Sequence, residues 1–218
     1  MTHSPSTFSR LNWRVAIWER EPAPGLVARV GEDYPSTWLE QFRRRGLDTR
    51  GIPFPFDFEG VPRQRVVTVE SGVPRSPVYD RTTARKEGRR STGHALPPPN
   101  TFGPAALNLV MSPGAATVQE MIRTTARGLY ITRFWYTRVV HPRDCVITGM
   151  TRDGTFLIEH GELTRPVKNL RFTQGYVPAL AGVEMIGQEA RTLVGGFVGA
   201  SRVPALKLRE FNFTGTTQ

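Results

Sequence analysis

Several residue types are scarce in this sequence, and each shortage narrows the class of protein. A single cysteine among 218 residues cannot form an internal disulfide, which fits a reducing cytoplasm. The chain has no run of about 18 apolar residues that could cross a membrane. Its first 20 residues lack the continuous apolar core of a signal peptide. We therefore expect a cytoplasmic protein that does not contact a membrane.

Lysine is also scarce, although the chain is basic. Only three of the 29 basic residues are lysines, and with 19 acidic residues the formal net charge is +10. The arginines are spread along the chain and are dense only at 43–45 and 85–90. An arginine bias also arises from GC-rich coding, so the charge alone does not favour a nucleic-acid partner. A basic nucleic-acid-binding protein is retained as an alternative.

The sequence has no H-E-x-x-H zinc motif, which would place two imidazoles on one helix face. The histidines are isolated from one another: His3, His94, His141 and His160. His141 and Cys145 are four residues apart, but Pro142 lies between them in a predicted turn, which does not favour a metal pair. A catalytic Cys145 would need a lowered pKa, whereas the adjacent Asp144 disfavours the thiolate. We predict a buried cysteine in a sheet, and no catalytic or metal-binding residue.

The second half of the chain is rich in signals for ordered structure. Thr117 followed by Glu120 forms a capping box, which predicts a helix that ends at Gly128. From Arg127 to Phe172 the pattern predicts consecutive antiparallel strands. Turns are predicted near Pro142, at Asp153-Gly154 and at His160-Gly161.

The first half gives fewer signals. Residues 63–70 are predicted to form a strand, and residues 79–104 a long loop with one helical turn over 82–88. We predict a β-rich α+β fold: an antiparallel meander sheet with two or three helices packed on one face. Residues 1–51 are predicted to be a poorly defined N-terminal segment, and residues 52–218 a domain.

Two short segments are candidates for binding a substrate. Asp57 and Glu59, ahead of Gly60, place two carboxylates on the same side of an extended segment, where they could bind a cation or a peptide amine. They could equally be solvated acids at the rim of a strand. A second segment is rich in backbone donors: Ser91, Thr92, Gly93 and His94. It could face a substrate or be a linker before the triple proline.

The sequence resembles the C-terminal domain of the TldD/PmbA family of metallopeptidase-related proteins over about residues 52–215. The family's G-[IL]-Y strand matches Gly128, Leu129 and Tyr130. Its I-E-[NH]-G-E-[IL]-x-x-P-V segment matches Ile158, Glu159, His160, Gly161, Glu162, Leu163, Pro166 and Val167. Its D-[DE]-E-G-x-P segment is similar to Asp57, Glu59, Gly60 and Pro62.

The resemblance implies a cytoplasmic domain that acts on peptides and pairs with a second, homologous subunit. It also implies zinc in full-length active relatives, which carry an H-E-x-x-x-H helix before this region. That helix is absent from this sequence. We therefore expect no cofactor in this chain, and a role in proteolysis as part of a TldD/PmbA-type system. The alternative is a non-enzymatic module that assembles with a full-length relative or with itself.

Overall fold

A computed structural model describes residues 16–18, 55–194 and 200–216. These residues divide into two compact units. One consists of residues 16–18, 112–191 and 204–216, and the other of residues 55–111, 192–194 and 200–203. Apart from 16–18, the predicted N-terminal segment 1–51 lies outside the described residues, so its boundary at residue 51 stays a prediction.

The described residues form three helices and eleven strands. The helices are α1 (Arg81–Lys86), α2 (Val118–Arg123) and α3 (Tyr176–Ala181). The strands are β1 (Ala16–Trp18), β2 (Val69–Glu70), β3 (Val73–Pro74), β4 (Asn108–Val110), β5 (Arg127–His141), β6 (Val146–Glu159), β7 (Glu162–Pro166), β8 (Leu170–Gly175), β9 (Val183–Val194), β10 (Ala200–Leu208) and β11 (Phe213–Thr216). The prediction of a β-rich α+β fold is confirmed.

The largest sheet contains six strands: five follow the order β1-β5-β6-β8-β11, and the sixth, β7, pairs with β6. The long strand β6 pairs antiparallel with β5 along one edge. Both β7 and β8 pair antiparallel with β6 along its other edge. Strand β1 lies parallel to β5, a pairing that the meander prediction did not include. Pro166 ends β7, as expected of a residue that lacks a backbone N–H.

The predicted hairpin turn at Asp153-Gly154 is wrong, because β6 continues through these two residues as a β-bulge. Ile131 pairs with Thr155 and Arg133 with Arg152, so one residue of β5 faces two residues of β6. Asp153 has a φ of 64°, and a bulge accommodates that conformation as readily as a turn does. The bulge changes which side of β5 meets the core.

The predicted turn at His160-Gly161 is confirmed. Both residues have positive φ, 53° and 85°, as a two-residue hairpin turn requires. The turn also packs against the end of α2. A Cβ atom added at Gly161 would lie 2.6 Å from the carbonyl oxygen of Arg123, so glycine is required for this close approach.

Helix α2 begins as predicted but ends earlier. The Thr117 side chain accepts a hydrogen bond from the N–H of Glu120, and the Glu120 carboxylate accepts one from the N–H of Thr117. The predicted stop at Gly128 is wrong, because the helix ends at Arg123 and Gly128 is a buried residue of β5. The Lys207 ammonium donates to the carbonyl of Thr124 and thus satisfies an acceptor at the helix end.

We expect the ionisation of Glu120 to make the stability of α2 depend on pH. The hydrogen bonds from Thr117, above all from its N–H, hold the pKa of the Glu120 carboxyl below its usual range. Its contribution is therefore present above the unfolded-state pKa and is lost as the pH falls through the folded-state pKa. In urea unfolding between about pH 6 and about pH 3, Glu120→Gln should show a shallower loss of stability than the wild type.

The control for Glu120→Gln is Glu162→Gln, because Glu162 lies on the exposed strand β7. This variant should keep the wild-type dependence on pH. Equal pH profiles for the wild type and Glu120→Gln would show that the capping box contributes nothing through the charge of Glu120.

The main core lies on one face of the large sheet. Phe172 is fully buried, and its ring centroid lies 4.7 Å from that of Phe134 and 5.3 Å from that of Phe211. The other buried members of this cluster are Leu129, Ile131, Ile147, Leu157, Leu170, Ala179, Leu208 and Phe213. A smaller cluster around Met121, Ile158 and Ala205 packs against α2 residues Val118 and Ile122. Alternation along β5 serves both clusters, since Leu129 joins the first and Tyr130 the second.

The second unit is mostly loop, and the predicted strand at 63–70 is largely wrong. Only Val69–Glu70 is a strand, and it pairs with Val73–Pro74 in a small exposed hairpin. The β-branched composition of residues 63–70 is not matched by a buried partner strand. The helical turn predicted over 82–88 is confirmed as α1. Strand β4 pairs parallel with β10 in a three-stranded sheet of order β4-β10-β9.

Candidate functional site

The two segments predicted to bind a substrate lie against each other in the second unit. Asp57 is 4% exposed and holds them together. Its Oδ1 accepts hydrogen bonds from the N–H groups of Glu59 (3.0 Å) and Val61 (2.9 Å). Its Oδ2 accepts one from the N–H of Ala95 at 2.9 Å, across 38 residues of sequence. The side chain therefore ties a tight turn at 57–61 to the segment that follows His94.

The prediction that Asp57 and Glu59 lie on the same side of an extended segment is wrong. The N–H of Gly60 donates to the Asp57 carbonyl, so the chain turns here. Asp57 points inward, whereas Oε2 of Glu59 accepts the N–H of Arg81, the first residue of α1. A carboxylate at the beginning of a helix satisfies a donor that the helix leaves open.

The 91–94 segment is bound through its side chains to Tyr79. Oγ of Ser91 and Oγ1 of Thr92 both lie within hydrogen-bond distance of the Tyr79 carbonyl. Oγ1 of Thr92 also accepts from the N–H of Tyr79 at 2.8 Å and lies 3.0 Å from Nδ1 of His94. His94 is 8% exposed. The segment is therefore a loop held by specific hydrogen bonds. It is not a linker, which was the other possibility from the sequence.

Gly93 is the point of closest approach between the two segments. A Cβ atom added there would lie 2.4 Å from the carbonyl oxygen of Pro62 and 2.7 Å from the Cα of Arg63. Its φ of 74° is also a conformation that other residues rarely adopt. Because Gly93 has no side chain, its backbone can pack directly against the backbone that follows the 57–61 turn.

Asp80 anchors α1 beside these loops. Its Oδ1 accepts from both the N–H and the hydroxyl of Thr83 at 2.7 Å, which makes it the N-cap. Burial alone would raise the pKa of the Asp80 carboxyl, but the hydrogen bonds from Thr83 outweigh it and lower that pKa. Helix α1, whose first N–H donates to Glu59, is therefore also capped by Asp80 at its first turn.

Arg63 also belongs to this region, and sequence reasoning did not single it out. Its side chain is buried, with the residue only 3% exposed. The Nε and Nη2 atoms have no hydrogen-bond acceptor among the described residues. Burial lowers the pKa of the guanidinium, and the charge of Asp57 partly opposes that shift. In a run as polar as 63–65, only the three-dimensional packing identifies a buried arginine.

The residues around Cys145 form an exposed turn. Cys145 is exposed, with a φ of 51°, and β6 begins after it at Val146. The prediction of a buried cysteine in a sheet is therefore wrong, because the turn covers residues 142–145, one position further along the chain than the 141–144 segment suggests. Nδ1 of His141 lies 3.4 Å from the exposed carboxylate of Asp144.

The described residues do not offer a donor set for zinc. Across residues 55–194 and 200–216, no three His, Cys, Asp or Glu side chains are grouped so that they could hold a metal ion. His94 lies in the loop region, His141 is the last residue of β5, and His160 lies in the hairpin turn after β6. In the same part of the chain, no helix is long and apolar enough to cross a membrane.

Sequence comparison places these features in a known family. Residues 43–215 match the family described as the PmbA/TldA metallopeptidase C-terminal domain. A Metalloprotease TldD homolog of Haemophilus influenzae is 23% identical over 215 residues, which cover 91% of this chain and 43% of the relative. A Metalloprotease of Methanothermobacter thermautotrophicus is 28% identical over 180 residues, covering 81% of this chain and 38% of the relative.

Solved structures show the same fold. TldE from Thermococcus kodakarensis superposes with a TM-score of 0.68 at 17% identity, covering 94% of this chain and 50% of the other. A protein of Thermotoga maritima, described as a putative modulator of a DNA gyrase, gives a TM-score of 0.64 at 18% identity, with the same coverage. This chain thus spans less than half the length of these curated relatives and about half of the solved ones. With a match over residues 43–215, the chain belongs to the PmbA/TldA metallopeptidase C-terminal domain family.

Proposed function

We propose that this chain acts in the cytoplasm in peptide or protein proteolysis, as the C-terminal domain of a TldD/PmbA-type metallopeptidase system. The family match over residues 43–215 carries the proposal, and two relatives named as metalloproteases support it. Because residues 55–194 and 200–216 do not fit a zinc site, the proposal places the metal in an active relative and not among these residues. No chemical step is assigned to a metal on this chain.

The proposed contribution of this chain is to bind and position the peptide. Asp57, Ser91 and Thr92 are bonded within the loops, so their role is to hold the substrate-facing backbone in place. Gly60 and Gly93 provide the tight turn and the close approach. Oε2 of Glu59 accepts a hydrogen bond from the first N–H of α1. We expect the other carboxylate oxygen of Glu59 to accept a hydrogen bond from a peptide N–H or amine.

A specific observation also favours the second candidate, an assembly module. The end of the β5–β6 hairpin and the adjoining helix α3 expose large apolar side chains: Tyr136, Val139, Val140, Val177 and Leu180. These two elements are neighbours, because the N–H of Tyr176 donates to the carbonyl of Cys145. Exposed apolar patches of this kind mark contact surfaces. The proposed partner is a homologous subunit, or a second copy of this chain.

A nucleic-acid role has less support, because the arginines near Trp135 are bound within the chain. Arg133 and Arg152 lie over the ring of Trp135, with guanidinium carbons 4.2 and 4.9 Å from the ring centroid. Both also form ion pairs with Asp153. These arginines already have partners within the chain, so we do not propose that they bind phosphates.

Mixing experiments with a full-length relative that carries the H-E-x-x-x-H helix test both candidates. The chain alone should not cleave a labelled unstructured peptide. With the relative, light scattering should show a complex, and the rate of cleavage should change. Val139→Asp and Leu180→Asp should weaken the complex, because each places a charge in the apolar surface. The control Val73→Asp, at an exposed site in the β2–β3 hairpin, should not.

Three results would count against these proposals. Cleavage by the chain alone, with stoichiometric zinc, would show that it holds its own metal. A complex that leaves cleavage unchanged would favour the assembly module over the peptide-binding role. A monomer that binds no relative would contradict both.

A further inference from the structure

We propose that Arg63 is a binding site for a carboxylate, which the guanidinium receives on the edge formed by Nε and Nη2. This inference does not rest on the proteolytic function, because it depends only on the geometry of one buried side chain. The carboxylate comes from a peptide or protein segment, either as a chain terminus or as an acidic side chain.

The pair of nitrogens without acceptors carries the inference. Nε and Nη2 of Arg63 are both buried, and neither has a hydrogen-bond acceptor in the described residues. These two N–H groups share one edge of the planar guanidinium and point in parallel. A carboxylate presents two oxygens at the matching spacing, so it satisfies both donors at once. Two donors without acceptors on one edge therefore indicate a ligand with two acceptor oxygens.

Asp57, the carboxylate whose charge acts on Arg63, is already occupied. Its two carboxylate oxygens accept three backbone N–H groups from Glu59, Val61 and Ala95. Turning this carboxylate toward Arg63 would leave these donors without an acceptor, which costs about 1–3 kcal/mol for a buried donor such as the N–H of Ala95. Asp57 thus balances the charge of Arg63 at a distance without filling its donor edge.

The backbone at Arg63 is held in place by close packing and by hydrogen bonds. The Cα of Arg63 lies beneath Gly93, where even a Cβ atom would be 2.7 Å away. The N–H of Arg63 donates to the carbonyl of Pro55, and the N–H of Gln64 to that of Thr92. The backbone is thus fixed on both sides, and the guanidinium is buried without a bound ligand. A charge-assisted pair between a carboxylate and this buried guanidinium is stronger than the same pair in water.

The test uses the full 218-residue chain and observes the Nε–H resonance of Arg63 by NMR with ¹⁵N-labelled arginine. A buried Nε–H exchanges slowly with water, so its signal is observable, and correlation to the assigned backbone identifies it. The probes are acetate, acetamide, phosphate, N-acetyl-Ala-Ala as free acid, its amide, and N-acetyl-Glu-Ala amide. Acetate should shift the signal saturably, whereas acetamide should not.

The peptides distinguish the two sources of the carboxylate. A shift with N-acetyl-Ala-Ala acid but not with its amide indicates a chain terminus. A shift with N-acetyl-Glu-Ala amide indicates an acidic side chain. Arg63→Lys keeps the charge but lacks the two-pronged edge, so acetate binding followed by backbone signals should weaken by at least about tenfold. Arg65→Lys, at an exposed arginine two residues away, should bind as the wild type does.

The proposal is overturned by any of three results. No carboxylate shifts the Nε–H signal, which means that water satisfies the edge. Phosphate shifts it and no carboxylate does. The affinity for acetate is the same in Arg63→Lys as in the wild type, which places the binding elsewhere. Because the Nε–H titration is read in the wild-type chain, it decides the question even if Arg63→Lys does not fold.

Discussion

Gly93→Ala is expected to lower the free energy of unfolding by about 4 kcal/mol. Two effects add at this position. The φ of 74° places the added Cβ against the residue's own backbone, which costs about 1–2 kcal/mol. The same Cβ would lie 2.4 Å from the Pro62 carbonyl oxygen and 2.7 Å from the Arg63 Cα. Both contacts are backbone atoms, so the clash cannot be relieved by a side-chain rotation.

Gly88→Ala provides the matched control for this prediction. Gly88 has a similar φ of 63° but no atom within 4 Å of the added Cβ, so it tests the backbone strain alone. We expect a loss of about 1 kcal/mol. Urea unfolding measures both variants, and hydrogen exchange at the N–H groups of Gln64 and Ala95 shows whether the loops separate. Equal losses for the two variants would mean that the close contact between Gly93 and Pro62 does not affect the free energy of unfolding.

The sequence predicted the sheet of the first unit well because its signals are local. The capping box at Thr117 and Glu120 and the turn at His160-Gly161 each depend on residues within three or four positions. Asp153-Gly154 shows the limit of such signals. A positive φ at an aspartate followed by glycine suits a hairpin turn and a bulge equally. The choice depends on β5, which continues opposite as an uninterrupted partner strand.

The loops of the second unit were predictable as a site only in part. Sequence reasoning singled out Asp57 and the 91–94 segment independently, and the structure joins Asp57 to Ala95, directly after that segment. Their separate roles could not be predicted, because burial of Asp57 depends on an N–H that lies 38 residues away. Arg63 carried no signal at all. Whether an arginine is exposed or buried is decided by the chain that covers it, and this information is not local.

Asp57→Ala is expected to lower the free energy of unfolding by about 3 kcal/mol. The substitution removes the acceptor for three N–H groups, of Glu59, Val61 and Ala95. The loss is smaller than three full penalties, since Glu59 and Val61 are only partly buried and water can reach them. The exchange rates of these three amides should rise together, because one side chain protects them all.

Asp57→Asn separates the two halves of this interaction. The amide oxygen can still accept from Glu59 and Val61, but the amide nitrogen then faces the N–H of Ala95, donor against donor. We therefore expect a loss of about 2 kcal/mol, with fast exchange at Ala95 and near-normal protection at Glu59 and Val61. Glu70→Gln, at an exposed residue of the small hairpin in the same unit, is the control and should leave all three amides unchanged. If Asp57→Asn left Ala95 protected, the carboxylate would not be what joins the two loops. The 57–61 turn and the 91–94 segment would then have to be held together by Gly93 and the backbone bond between Gln64 and Thr92 alone.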